Sequence, residues 1–84
     1  MKHSTPAAVL LGERVRELRV KRKLTQQALA DAVRIPQTHV SAIERGVMLP
    51  SLLTVIRLAI AFDCKVGVLL SPFDKADLRS LLPK

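Results

Sequence analysis

The chain has 84 residues, 49% of them hydrophobic, and a formal net charge of +7 at pH 7. That is enough apolar material for one small domain and too much for a disordered segment. The charge points to a polyanionic partner, nucleic acid or an anionic membrane surface. The absence of Trp and Tyr, with only Phe62 and Phe73 as aromatic residues, leaves no platform for stacking unpaired bases and counts against single-stranded or loop RNA.

A lone cysteine, Cys64, cannot form an internal disulfide, and with only His3 and His39 beside it no metal-ligand cluster arises. No cofactor motif is present. The opening MKHSTPAAVLLGER has an apolar run too short for a signal sequence. No stretch approaches the roughly 20 apolar residues that span a bilayer. A cytoplasmic protein without membrane association is expected.

Residues 1–8 are expected to be an N-terminal arm, within which Thr5-Pro6 offers a helix start, since Pro suits the first helical position. Leu11, Val15 and Leu18 recur at helical spacing, and Leu24 closes the segment. The opposite face is rich in Arg and Lys (Arg14, Arg16, Lys21, Arg22, Lys23), which reads equally as a solvated helix face or as phosphate contacts. A second helix starts after Thr25, whose hydroxyl can cap it, with Leu29 and Val33 inward and Ala28, Ala30 and Ala32 keeping it slim. Ile35-Pro36 ends it, because the residue before a proline resists helical geometry. A third helix runs from about Gln37 to Arg45, with Val40 and Ile43 inward and Gly46 suited to the left-handed residue that ends it.

Ser51 caps a fourth helix in which Thr54 and Arg57 are the only polar side chains from Leu52 to Phe62. So narrow a polar stripe implies two buried faces, one of them against a partner subunit. Beyond Asp63 the segment KVGVLLSPF alternates Val66, Val68 and Leu70 as a strand would, with a short helix as the rival reading. A lone strand would pair with its copy in a second chain. The tail DKADLRSLLPK fits a short helix capped by Asp74, with Asp77 completing a capping box. Residues 9–63 thus form the domain, and 64–84 a dimerisation segment.

Two short helices joined by a tight turn, about residues 26–45, make a helix-turn-helix whose second helix can enter the major groove of duplex DNA. With Val40 and Ile43 inward, Thr38, Ala42 and Arg45 point outward at 100° per residue, and Ser41 lies beside them. Gln37 and Thr38 occupy the first exposed turn. Gln can pair with adenine N6 and N7 together, and Thr offers a methyl or a hydroxyl. Glu44, beside Ile43, needs a partner near the inward face, and Arg19 is a reasonable one. His39 reads either as a satisfied boundary residue or as a phosphate donor.

The stretches LGERVRELR, LTQQALADAV, HVSAIERG and PSLLTVIRLAIAF, spanning about Leu11 to Leu70, resemble the lambda-repressor-like (Xre) family of helix-turn-helix regulators. The resemblance implies an all-α, four- to five-helix domain, here with the C-terminal β-strand in dimerisation. It implies that Gln37, Thr38, Ser41 and Ala42 face bases or the flanking backbone. Gln26 would contact phosphate, joined by Arg16, Lys23, Arg34 and Arg45, and Arg19 and Glu44 would form a structural ion pair. The sequence departs from the family where Arg34 stands in place of a turn glycine, where Ala28 replaces a capping Glu, and where the loop VMLPS is apolar. Val47, Met48 and Leu49, with Val66, Val68 and Leu70, are the expected dimer interface. The implied function is a homodimeric DNA-binding repressor reading an inverted repeat. Alternatives are an antitoxin that also binds a toxin, a restriction–modification controller, or a protein-interaction module without DNA reading. No enzyme motif is present: there is no phosphate-binding glycine loop and no nucleophile beside a base.

Overall fold

The computed structural model describes residues 5–75 and 78–83. Ser4 and the residues before it in the expected arm, and Asp77 of the expected capping box, lie outside the described residues. Thr5 accepts a hydrogen bond from Ala8 N at 3.1 Å and Pro6 takes the first helical position, so α1 runs Pro6–Lys21. α2 is Gln26–Val33, capped by the Thr25 hydroxyl on Ala28 N at 3.0 Å. α3 is Gln37–Glu44, entered through Pro36 without a side-chain cap. α4 is Leu52–Ala61, capped by Ser51 on Thr54 N at 3.2 Å. Two short helices follow, α5 (Val66–Leu69) and α6 (Pro72–Lys75), then a 3₁₀ turn at Leu78–Leu81.

The core is one cluster to which α1 gives Leu11, Val15 and Leu18, α2 Leu29 and Val33, and α3 Val40 and Ile43. α4 adds Leu58, followed by Phe62, and α5 adds Leu69. The inward positions expected for the first three helices are therefore the ones buried. α4 buries Val55, Leu58 and Ala59, while Leu52, Leu53, Ile56 and Ile60 stay exposed, Leu52 at 71% and Ile60 at 73%. On a helical wheel these four centre about 120° from the buried face. The narrow polar stripe of this helix thus hides one apolar face in the core and leaves a second in solvent. No helix among the described residues is long and apolar enough to cross a membrane.

The expected strand at 66–70 is a helix. Lys65 O accepts from Val68 N at 2.9 Å and Val66 O from Leu70 N at 2.9 Å, so the segment satisfies its own backbone. Leu69, which strand alternation sets opposite Val66, Val68 and Leu70, is fully buried. Val66 and Leu70 pack beside it against the same core, and Val68 points outward. A strand here would find no partner in its own chain, whereas one helical turn puts three of the four large apolar residues on the core. Among the described residues there is no strand, and the fold is all-α. Asp74, expected to precede a helix, lies inside α6.

Four helix ends share one geometry. After α3, Gly46 (φ 73°) donates to Ile43 O at 3.0 Å and Val47 N donates to Ala42 O at 3.1 Å, the paired bonds of a Schellman ending. Related endings follow α1, α2 and α4, but there the left-handed residue is Lys23 (φ 57°), Arg34 (φ 60°) or Asp63 (φ 51°). Each carries a Cβ that this conformation disfavours by about 1–2 kcal/mol. Arg34→Gly should therefore stabilise the fold by about 0.5–1 kcal/mol, after the larger entropy of an unfolded glycine is subtracted. A higher urea midpoint at unchanged m-value would register it; an unchanged or lower midpoint would mean the Arg34 side chain contributes contacts that offset the strain.

Candidate nucleic-acid interface

α3 is held from two sides. Gly12 of α1 is buried against its C-terminal end, where a Cβ on residue 12 would lie 2.1 Å from Ile43 O and 3.1 Å from Glu44 O. Only a residue without a side chain lets the two backbones approach this closely. Two turns later on α1, Arg19 donates from Nε to Glu44 Oε2 at 2.6 Å and from Nη2 to Glu44 Oε1 at 3.1 Å. Its Nη1 donates to Leu24 O at 2.8 Å, closing the turn into α2. The side chains of Arg19 and Glu44 are 14% and 4% exposed, so the pair is largely removed from water.

Glu44 then meets the start of α2. Gln26 Nε2 donates to Glu44 Oε1 at 3.1 Å, and Gln26 Oε1 accepts from Gln37 Nε2 at 2.5 Å. Gln37 and Glu44 are seven residues apart on α3, a rotation of −20°, so both stand on the flank that Gln26 reaches. The result is an unbroken relay from helix one to the first turn of α3: Arg19, Glu44, Gln26, Gln37. Reading the sequence pairs Arg19 with Glu44 but misses the two glutamine links. The seven-residue spacing was the available signal.

The other sequence-identified residues are distributed as follows. Thr38 and Arg45 are exposed on α3, and Ser41 and Ala42 are half-buried. Arg16, Lys23 and Arg34 are exposed. Arg16 lies on the flank of α1 that also bears Gly12 and Arg19, the side facing α3. His39 is exposed, on the α4 side of α3. Two other basic residues, Arg14 of α1 and Arg22 at its C-terminal cap, are taken up within the fold. Arg14 donates to Val68 O from Nε at 3.1 Å and Nη2 at 3.0 Å and pairs with Glu17. Arg22 donates to Phe62 O and sits over the Phe62 ring, 5.8 Å from its centroid. The basic face of helix one thus divides into cations engaged by the fold and cations left to solvent.

Of the residues assigned to an interface between subunits, Met48, Val66 and Leu70 pack partly buried on this chain's own core, and Val47 is half-buried. Leu49 and Val68 are exposed. The larger exposed apolar surface is the outer face of α4, formed by Leu52, Leu53, Ile56 and Ile60, none of them among the residues assigned to that interface.

The helix-turn-helix family HTH_3 matches residues 15–69. Among solved structures, the restriction-modification controller protein C.AhdI from Aeromonas hydrophila is 35% identical over 74% of this chain and 94% of its own, with a TM-score of 0.72. The P22 c2 repressor, solved in complex with a synthetic operator, is 32% identical over 70% of this chain and 89% of its own, with a TM-score of 0.66. A hypothetical transcription factor, NHTF, from Neisseria is 28% identical over 76% of this chain and 74% of its own, with a TM-score of 0.71. No curated protein sequence matches the chain.

Proposed function

This chain belongs to the lambda-repressor-like helix-turn-helix family, and from that premise we propose that it is a homodimeric, sequence-specific transcriptional regulator, a repressor, that reads an inverted repeat in duplex DNA. The observation that carries the reading is the first turn of α3, where Gln37 is held by Gln26 beside exposed Thr38. α3 enters the major groove with Gln37, Thr38, Ser41 and Ala42 toward base edges. Gln26 keeps one Nε2 hydrogen after its bond to Glu44 and gives it to a backbone phosphate. Arg16, Lys23, Arg34 and Arg45 add phosphate contacts, which make affinity fall steeply with salt.

Two-fold symmetry supplies the second reading head, roughly 34 Å from the first. The outer face of α4, with Leu52, Leu53, Ile56 and Ile60 in solvent, supports a subunit contact there. The antitoxin variant rested on a strand shared between subunits; with residues 66–69 helical, no feature of the described residues supports a toxin partner. A controller of restriction–modification genes is a second reading, favoured by the 35% identity to C.AhdI.

Selection from a random duplex pool at about physiological salt tests the proposal. An enriched inverted repeat is the expected result, and enrichment of no sequence moves the function to a protein partner. Within the selected site, Gln37→Ala should relax one base position per half-site and cost about 1–3 kcal/mol of specific binding. Gln26→Ala should release Gln37, which it holds, and should in addition weaken binding to all sequences and flatten the salt slope, which Gln37→Ala leaves unchanged. Identical behaviour of the two variants in salt-titrated binding would refute this division of roles.

A further inference from the structure

We infer that the Arg19–Glu44 ion pair is a specificity-determining element: it fixes which way round the Gln37 amide faces, and so which bases Gln37 accepts. The inference rests on the base-reading role proposed for Gln37. A carboxylate paired with a guanidinium offers only acceptors. Gln26 must therefore turn its Nε2 toward Glu44, at 3.1 Å, which leaves its Oε1 as the atom facing Gln37. Gln37 must in turn donate from Nε2, at 2.5 Å. The direction of every bond in the relay follows from the charge at its buried end. It does not depend on a choice made at the protein surface.

Gln37 is left with both lone pairs of Oε1 and one N–H, and no further bond to its amide occurs among the described residues. Its free edge leads with an acceptor. Such an edge suits a base that presents an exocyclic amine, adenine N6 or cytosine N4. With the relay reversed, Oε1 of Gln37 would be engaged and both N–H groups free. That edge suits the keto oxygens of guanine O6 or thymine O4. Glu44 acts here as a positioning residue, two hydrogen bonds removed from Gln37 and three from the base.

Glu44→Gln is the reversing variant. Its amide oxygen takes the place of Oε2 and keeps the shorter bond from Arg19 Nε, so its Nε2 takes the place of Oε1, gives up the Arg19 Nη2 bond, faces Gln26 and turns both glutamines around. The experiment is selection from a random duplex pool by wild type and Glu44→Gln, scored at the one position where Gln37→Ala loses its preference. Wild type should prefer A or C on the contacted strand by about fivefold or more, and Glu44→Gln should shift that preference to G or T while the other positions keep theirs. Loss of stability or overall affinity does not by itself alter the ratio at one position, so a merely structural role predicts an unchanged preference; that result would overturn the inference and leave base reading intact.

Gln26→Met covers the case in which Glu44→Gln does not fold. It removes the relay without touching the ion pair, and the amine-over-keto preference should collapse toward equality. Retention of the full preference would overturn the inference. Failure of wild type to enrich any sequence would sink base reading and this inference together. NMR of the DNA-free protein separates that failure from an error in the relay: NOEs from the Gln26 carboxamide protons should run to Glu44 Hγ. NOEs to Gln37 Hγ instead would show the relay running the other way and overturn the inference on its own.

Discussion

Glu44→Ala should lower the unfolding free energy by about 3–5 kcal/mol, because it strands the Arg19 guanidinium in a site only 14% exposed. Gln26 loses an acceptor in the same step. A domain of this length has a total stability of about 4–13 kcal/mol, so the variant stands near the edge of folding. Its Tm should fall by at least about 10 °C. The loss arises from an uncompensated charge more than from a missing bond, and a second variant separates the two. Arg19→Met with Glu44→Leu removes both charges, and buried pairs replaced by apolar residues are often neutral in stability. The double variant should recover most of the loss in urea denaturation. If it is no more stable than Glu44→Ala, the cost lies in the hydrogen bonds to Leu24 O and Gln26, and the electrostatic account fails.

Gly12→Ala tests the other attachment of α3, and two rules give it opposite signs. Helix propensity alone favours alanine over an interior glycine by about 1 kcal/mol. Packing opposes it, since the new Cβ falls 2.1 Å from Ile43 O, a backbone atom that moves only with the helix carrying it. Overpacking costs of about 1–3 kcal/mol are usual, and this contact belongs at the upper end. The variant should therefore be destabilised by about 3 kcal/mol before the propensity gain, with a net loss in thermal unfolding. Operator affinity should fall as well, because α3 is displaced relative to α1. A stabilised variant would mean that α1 and α3 are not in this contact.

Much of the fold was legible because local chemistry and tertiary packing agree. Thr5, Thr25 and Ser51 cap the helices expected of them, and Gly46 takes the positive φ that ends α3. Leu11, Val15 and Leu18 are spaced for one face and share one core. The segment after Cys64 misled because its four large apolar residues fit either period over so short a span. Burial of Leu69 decides it, and that depends on where α1 and α4 lie, which no local pattern carries. Gly12 was silent for a related reason: a glycine amid a good helix pattern does not say what backbone it meets. The Gln26–Gln37 bond joins two helices across a turn, so its existence follows from the turn's shape, set by Arg34 in a conformation that its residue type disfavours.

Three arginines of α1 bind acceptors contributed progressively later in the chain: Arg19 reaches Glu44, Arg22 at its C-terminal cap reaches Phe62 O and Arg14 reaches Val68 O. The corresponding sequence separations are 25, 40 and 54 residues. As the nascent chain emerges, its first helix must wait for each acceptor in turn, and Arg14, the first of the three in sequence, is satisfied only once residue 68 is out. Because loop closure costs only about 0.6 kcal/mol more per doubling of length, the wait imposes little thermodynamic penalty. It sets an order of events: α3 can meet its Arg19 anchor before Arg14 meets its acceptor on α5.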